Sequence, residues 1–172
     1  MKKFTLSLIL FFLALFTVPS VFSNAQAATL KFDPTSGTAA NGATFQVKVN
    51  ADAGSAQVSA ADVYVSFDPT LVKATLVTPG TYFADVTSNI LNGKVYITGL
   101  PSQSDFTAFK TGAGTIATIT FQALKNGTAS LKFDCGTTAA SSKIIQNDIQ
   151  RCLPHSLLPY HGILHTPHRL HY

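Results

Sequence analysis

The chain has 172 residues, enough for one domain with appendages, and is 46% hydrophobic but only 12% charged. All 8 acidic residues are Asp, and without Lys2 and Lys3 the formal net charge of +4 falls to +2. A charge this small does not argue for binding to nucleic acid or to acidic membranes.

Lys2 and Lys3 precede an apolar run from Phe4 to Val18, followed by Pro19, Ser20 and then Ala25-Gln26-Ala27. A basic start, an apolar centre and an A-x-A end define a secretory signal peptide over residues 1–27, cleaved after Ala27. The alternative is an uncleaved membrane anchor. Against it, the run is short of the ~20 residues a span needs, and Pro19 breaks it. The mature chain is expected to be secreted, extracellular or at the cell surface, with no membrane span.

Beyond Ala28 the chain reads as strands and turns. Leu30 and Phe32 form a short strand stopped by Asp33-Pro34. Phe45, Val47 and Val49 alternate with Gln46, Lys48 and Asn50, the period of two that gives a strand one buried and one wet face. Gly54 to Ala60 reads as a loop of small residues. Val63, Val65 and Phe67 then alternate with Asp62, Tyr64 and Ser66, and Asp68-Pro69 ends that strand in a type I turn. A second apolar run (Leu71, Val72, Leu76, Val77) closes at Pro79-Gly80.

Val86 to Leu91 is a further strand. Asn92-Gly93, a strong hairpin signal, joins it to a strand in which Lys94, Tyr96 and Thr98 alternate with Val95, Ile97 and Gly99. Leu100 to Thr111 reads as a loop. Thr115 to Leu124 is a strand with Ala117, Ile119, Phe121 and Ala123 on one face. Asn126-Gly127 is a second hairpin signal before Leu131 and Phe133, and Ile144, Ile145 and Ile149 are available for a last strand. The tetrapeptide Phe-Asp-Pro-Thr occurs at 32–35 and 67–70, which reads as two strands ending in the same turn chemistry. No window beyond the leader has a sustained helical period, so the fold class is all-β, a β-sandwich or jelly roll over residues 28–150.

Residues 151–172 differ in composition. All five His (155, 161, 165, 168, 171) and both Arg lie there, while Ala, Val, Lys and Asp vanish. This His/Pro-rich tail reads as a shifted reading frame or a chimeric gene end. The other reading is a metal-binding tail, but the His spacings match no zinc pattern. Export permits a disulfide between Cys135 and Cys152, and a Cys135 that is free or differently paired fits the sequence equally well.

No catalytic constellation is visible. Before position 151 there is neither His nor Glu, and the Asp residues mostly stop strands or lie in loops. Asn126-Gly127-Thr128 matches a glycosylation sequon that turn chemistry also explains. The chain is expected to be no enzyme and to use no cofactor or metal.

The strands also carry a resemblance. Gly42-Ala43-Thr44-Phe45-Gln46-Val47, the stretch from Ala61 to Gly80 with its Phe67-Asp68-Pro69, Gly93 to Gly99, Gly114 to Phe121, and Gly127 to Phe133 occur in the order of the strands of the cohesin domain, which the chain resembles from about Leu30 to Phe133. The resemblance implies an antiparallel jelly-roll sandwich of about nine strands. It also implies non-catalytic docking of a dockerin-type partner, or of another surface protein, in a polysaccharide-degrading or cell-surface setting.

Alternation supplies a face for such a partner. With Val63, Val65, Phe67, Val95 and Ile97 turned to the core, Asp62, Tyr64, Ser66, Lys94, Tyr96 and Thr98 turn outward. Tyr offers contact area with a polar tip, as interfaces favour, although Tyr and Thr are also ordinary solvent-face strand residues. A polysaccharide-binding module is the second reading, weakened by the absence of Trp. A structural segment of a surface protein is the third.

Overall fold

A computed structural model of the chain describes residues 27–102, 104, 108–136 and 140–146, together with the backbone of 150–151, 162–165 and 169–170. The signal-peptide expectation for residues 1–27 therefore lies almost entirely outside the described residues, as does Cys152. Among the described residues there is no helix, and none long and apolar enough to cross a membrane.

The strands in chain order are β1 (Thr29–Asp33), β2 (Thr44–Asp52), β3 (Val58–Ser66), β4 (Val72–Pro79), β5 (Asp85–Leu91), β6 (Lys94–Leu100), β7 (Ala113–Ala123), β8 (Thr128–Ala129), β9 (Lys132–Phe133), β10 (Lys143–Gln146), β11 (Gln150–Arg151), β12 (Gly162–His165) and β13 (Arg169–Leu170). One sheet has the order β1-β2-β7-β4 and a second the order β11-β10-β3-β6-β5, with β9 also beside β3. A short third sheet, β13-β12-β8, brings the backbone of 162–165 against Thr128 and Ala129. Every pairing is antiparallel.

The core lies between the two large sheets because alternation aims one face of each at the other. Val47 and Val49 of β2 and Ile119 and Phe121 of β7 meet Val63 and Val65 of β3 and Val95 and Ile97 of β6, all fully buried. Each such side chain contributes about 1.5–3 kcal/mol through lost contact with water. Phe121 stacks on Phe45 at 5.5 Å and takes the edge of Phe67 at 5.3 Å, so aromatic packing joins the sheets at one end.

Four local expectations change. Residues 58–60, read as loop, belong to β3. Ser59 is an extra residue where β10 passes from Ile145–Ala60 to Gln146–Val58, and it donates through its hydroxyl to the Ile145 carbonyl at 3.1 Å. That bulge hides the strand from a period-two search, because Val58 and Ala61 are both buried at a spacing of three. In β7, Ile116 is likewise extra, since Val49 pairs with Ala117 and Asn50 with Thr115, and Ile116 and Ala117 are both buried.

Asn126-Gly127 does not close a hairpin. Both edges of β7 are already taken by β2 and β4, so the chain crosses to β8 and then to β9, against Val65 and Ser66 in the other sheet. Finally, the two Phe-Asp-Pro-Thr segments differ. Asp33-Pro34 is a cis peptide. At Asp68-Pro69, by contrast, the Leu71 amide donates to the Asp68 carbonyl (3.1 Å) and the Thr70 amide to Asp68 Oδ1 (2.8 Å). The Thr70 amide, then its hydroxyl, hold the Asp68 carboxyl below its ordinary pKa.

Candidate functional site

The register of β3 with β6 sets Asp62 opposite Thr98, Tyr64 opposite Tyr96 and Ser66 opposite Lys94. The six residues expected to face outward therefore form three cross-strand pairs on one face. Val63–Ile97 and Val65–Val95 point the other way, into the core. Cross-strand partners of this kind have Cβ atoms about 5 Å apart, so each pair is within side-chain reach.

Tyr64 and Tyr96 sit at the centre with ring centroids 4.5 Å apart and planes 33° from parallel. The Tyr96 hydroxyl donates to Asp62 Oδ1 at 3.0 Å, and the Thr98 hydroxyl reaches both Asp62 Oδ1 (3.1 Å) and the Tyr96 hydroxyl. The Thr98 hydroxyl acts to lower the Tyr96 pKa, but burial and the Asp62 carboxylate outweigh it, so the phenol is raised above its ordinary value and stays neutral.

Asp62 Oδ2 pairs with Lys143 Nζ at 3.3 Å, which anchors the outer strand β10 to this face. At the other end Asp134 Oδ1 accepts from the Ser66 hydroxyl at 2.6 Å and Asp134 Oδ2 from Lys94 Nζ at 3.0 Å. A close tyrosine pair thus lies between two Asp–Lys pairs. Partly exposed pairs like these add about 0–1 kcal/mol of stability. Their effect is to hold the polar groups in fixed positions.

Asp134 and Lys143 belong to this face, Ser142 braces its edge at the Tyr64 backbone, and none of the three was in the sequence-based set. They come from chain far from β3 and β6, and no periodicity around them announces the register that delivers them. β5 widens the face by aligning Thr87 with Thr98, Asn89 with Tyr96 and Leu91 with Lys94. Among the described residues, no three His, Cys, Asp or Glu side chains gather in a way that would hold a metal ion. Cys135 is exposed at the surface.

The family model for the cohesin domain matches residues 18–150. The chain belongs to the cohesin family. No curated protein matches it.

Several solved structures share its fold. The sixth cohesin of Acetivibrio cellulolyticus scaffoldin B, solved with a dockerin, is 17% identical with a TM-score of 0.57, over 83% of this chain and 96% of that one. A Clostridium thermocellum OlpA cohesin in a type I cohesin–dockerin complex is 16% identical with a TM-score of 0.56, over 72% and 89%. A cohesin from Clostridium acetobutylicum solved in solution is 17% identical with a TM-score of 0.56, over 72% and 82%. At such identities the likeness concerns the fold. It places this cohesin-family chain among jelly-roll sandwiches, as the strand pattern implied.

Proposed function

We propose that this cohesin-family domain is a non-catalytic docking module, and that the outer face built on β3 and β6 receives a dockerin-type partner. The observation that carries the reading is the close Tyr64–Tyr96 ring pair, half-buried at the centre of a broad sheet face and flanked by Asp62–Lys143 and Asp134–Lys94. An aromatic centre with a polar rim is the arrangement that protein interfaces use. Asp62, Tyr64, Ser66, Lys94, Tyr96 and Thr98 are the proposed contact residues. Asp134 and Lys143 hold two of them in place.

Related structures with this fold were solved as cohesin–dockerin complexes, which adds support for the partner class. In the proposed setting residues 1–27 are removed on export, residues 28–150 form the docking domain, and the domain acts outside the cell among polysaccharide-degrading proteins. A sugar platform is less favoured, because the two rings are tilted 33° from parallel instead of coplanar and the chain has no Trp.

The test is calorimetric titration of the secreted protein with purified dockerin domains, with retention on insoluble cellulose and chitin measured alongside. Saturable one-to-one dockerin binding with no retention supports docking. Retention without dockerin binding would replace it with polysaccharide recognition.

A further inference from the structure

We propose that the free edge of β5 pairs with β5 of a second copy of this chain, joining two sandwiches through one continuous sheet. The second sheet ends at β5, which among the described residues pairs with β6 alone. The two-residue turn at Asn92-Gly93 closes on Leu91 and Lys94, with Gly93 at φ +76°. In such a hairpin the closing residues exchange hydrogen bonds, and alternate residues repeat the pattern. Asp85, Thr87, Asn89 and Leu91 therefore turn their backbone groups toward β6. Val86, Ser88 and Ile90 turn theirs outward, where no partner is described.

Exposed edges are normally blunted by Lys, Pro or a bulge, because an open row of N–H and C=O groups recruits other strands. The two edges of the first sheet follow that rule. β1 carries Lys31 and runs into Pro34 directly after Asp33. β4 carries Lys73, has Thr75 as an extra residue between Ala74 and Leu76, and ends at Pro79. β5 has none of these features. Its seven residues, Asp-Val-Thr-Ser-Asn-Ile-Leu, keep an unbroken register with β6 and hold one charge, at the first position.

The edge is self-complementary, which is why a second copy is the proposed occupant. Three outward residues centred on Ser88 mean that an antiparallel partner sets Ser88 against its own counterpart and Val86 against the second copy's Ile90. Ile90 is 37% exposed beside an apolar groove of about 280 Å³ that it lines with Phe67, Val72, Ala74 and Leu124. Pairing would lay the second copy's Val86 beside it, an apolar cross-strand contact. The two-fold axis stands perpendicular to the sheet. Both Tyr64–Tyr96 faces then point the same way, so the dimer presents two docking faces side by side. The pairing stands independently of what those faces bind.

Sedimentation equilibrium of the secreted protein over a wide concentration range tests this. Wild type should pass from monomer to dimer mass as concentration rises. Ser88→Pro removes an outward N–H that β6 does not use, and Ile90→Lys supplies the missing blunting charge. Each should weaken dimerisation by about tenfold or more while retaining the wild-type circular dichroism. If Ser88→Pro fails to fold, Ile90→Lys carries the comparison. A wild type that stays monomeric throughout, or a dimer that both variants leave unchanged, overturns the proposal.

Discussion

The Ser142 hydroxyl completes the edge of β3 at Tyr64, accepting the Tyr64 amide at 2.9 Å and donating to the Tyr64 carbonyl at 3.0 Å. β9 pairs with Val65 and Ser66, and β10 with residues 58–62, so Tyr64 falls between them, where the chain leaves the sheet. The Tyr64 carbonyl also accepts from the Asp134 backbone amide at 2.9 Å, so the side chain replaces a backbone partner for the Tyr64 amide. Ser142 is fully buried, so Ser142→Ala would leave the Tyr64 amide without its acceptor. The expected loss is about 1–3 kcal/mol, read as a lower denaturation midpoint with an unchanged slope against denaturant.

Val65 and Tyr64 are neighbours with opposite fates. Val65 is fully buried between the sheets, and Val65→Asp puts a charge there with no partner, so the variant should not fold. Tyr64→Ala removes a ring from the outer face and its contact with the Tyr96 ring. It should fold with a loss of about 1 kcal/mol. Circular dichroism of the two variants checks the register directly.

Gly80 and Gly99 each admit a close approach by a neighbouring segment, and they should respond differently to substitution. A Cβ on Gly99 would overlap the ring of Phe83, a side chain that can be shortened. A Cβ on Gly80 would overlap the Thr115 carbonyl, which belongs to the backbone of β7. Gly99→Ala should lower the thermal midpoint, and Phe83→Leu should partly restore it. Gly80→Ala should abolish folding, with no single side-chain change able to rescue it.

Stability should also fall at high pH. Burial, and to a lesser extent Asp52, raise the Tyr82 pKa above its ordinary 10.0, and its hydroxyl donates to the Gly112 carbonyl at 3.3 Å. A raised folded-state pKa means this contribution is intact below pH 10 and is lost as pH climbs through the folded value. Denaturation midpoints should therefore drop above pH 10, and Tyr82→Phe should flatten that drop. Tyr96, also raised, would leave a residual slope.

Much of the sandwich was legible because its central strands keep strict alternation. Val47–Val49, Val63–Val65 and Val95–Ile97 are buried as their spacing required, and that same spacing put Tyr64 beside Tyr96. What escaped was whatever depends on a neighbouring strand. Ser59 and Ile116 are extra residues defined only by their partners' registers, and each shifts the alternation around it. Asn126-Gly127 carries hairpin chemistry, yet it leads to the opposite sheet because β7 is already flanked on both sides. Asp134, Ser142 and Lys143 reach the face through a chain excursion that local sequence does not encode.

The most direct measurement is the affinity of the Tyr64→Ala/Tyr96→Ala double variant for a dockerin domain that binds wild type, taken by calorimetry beside a thermal melt. If the β3–β6 face is the docking surface, binding should weaken more than about tenfold, as loss of central aromatic anchors does, while the variant remains folded. Wild-type affinity in a folded double variant would contradict the assignment and move the docking surface elsewhere on the sandwich.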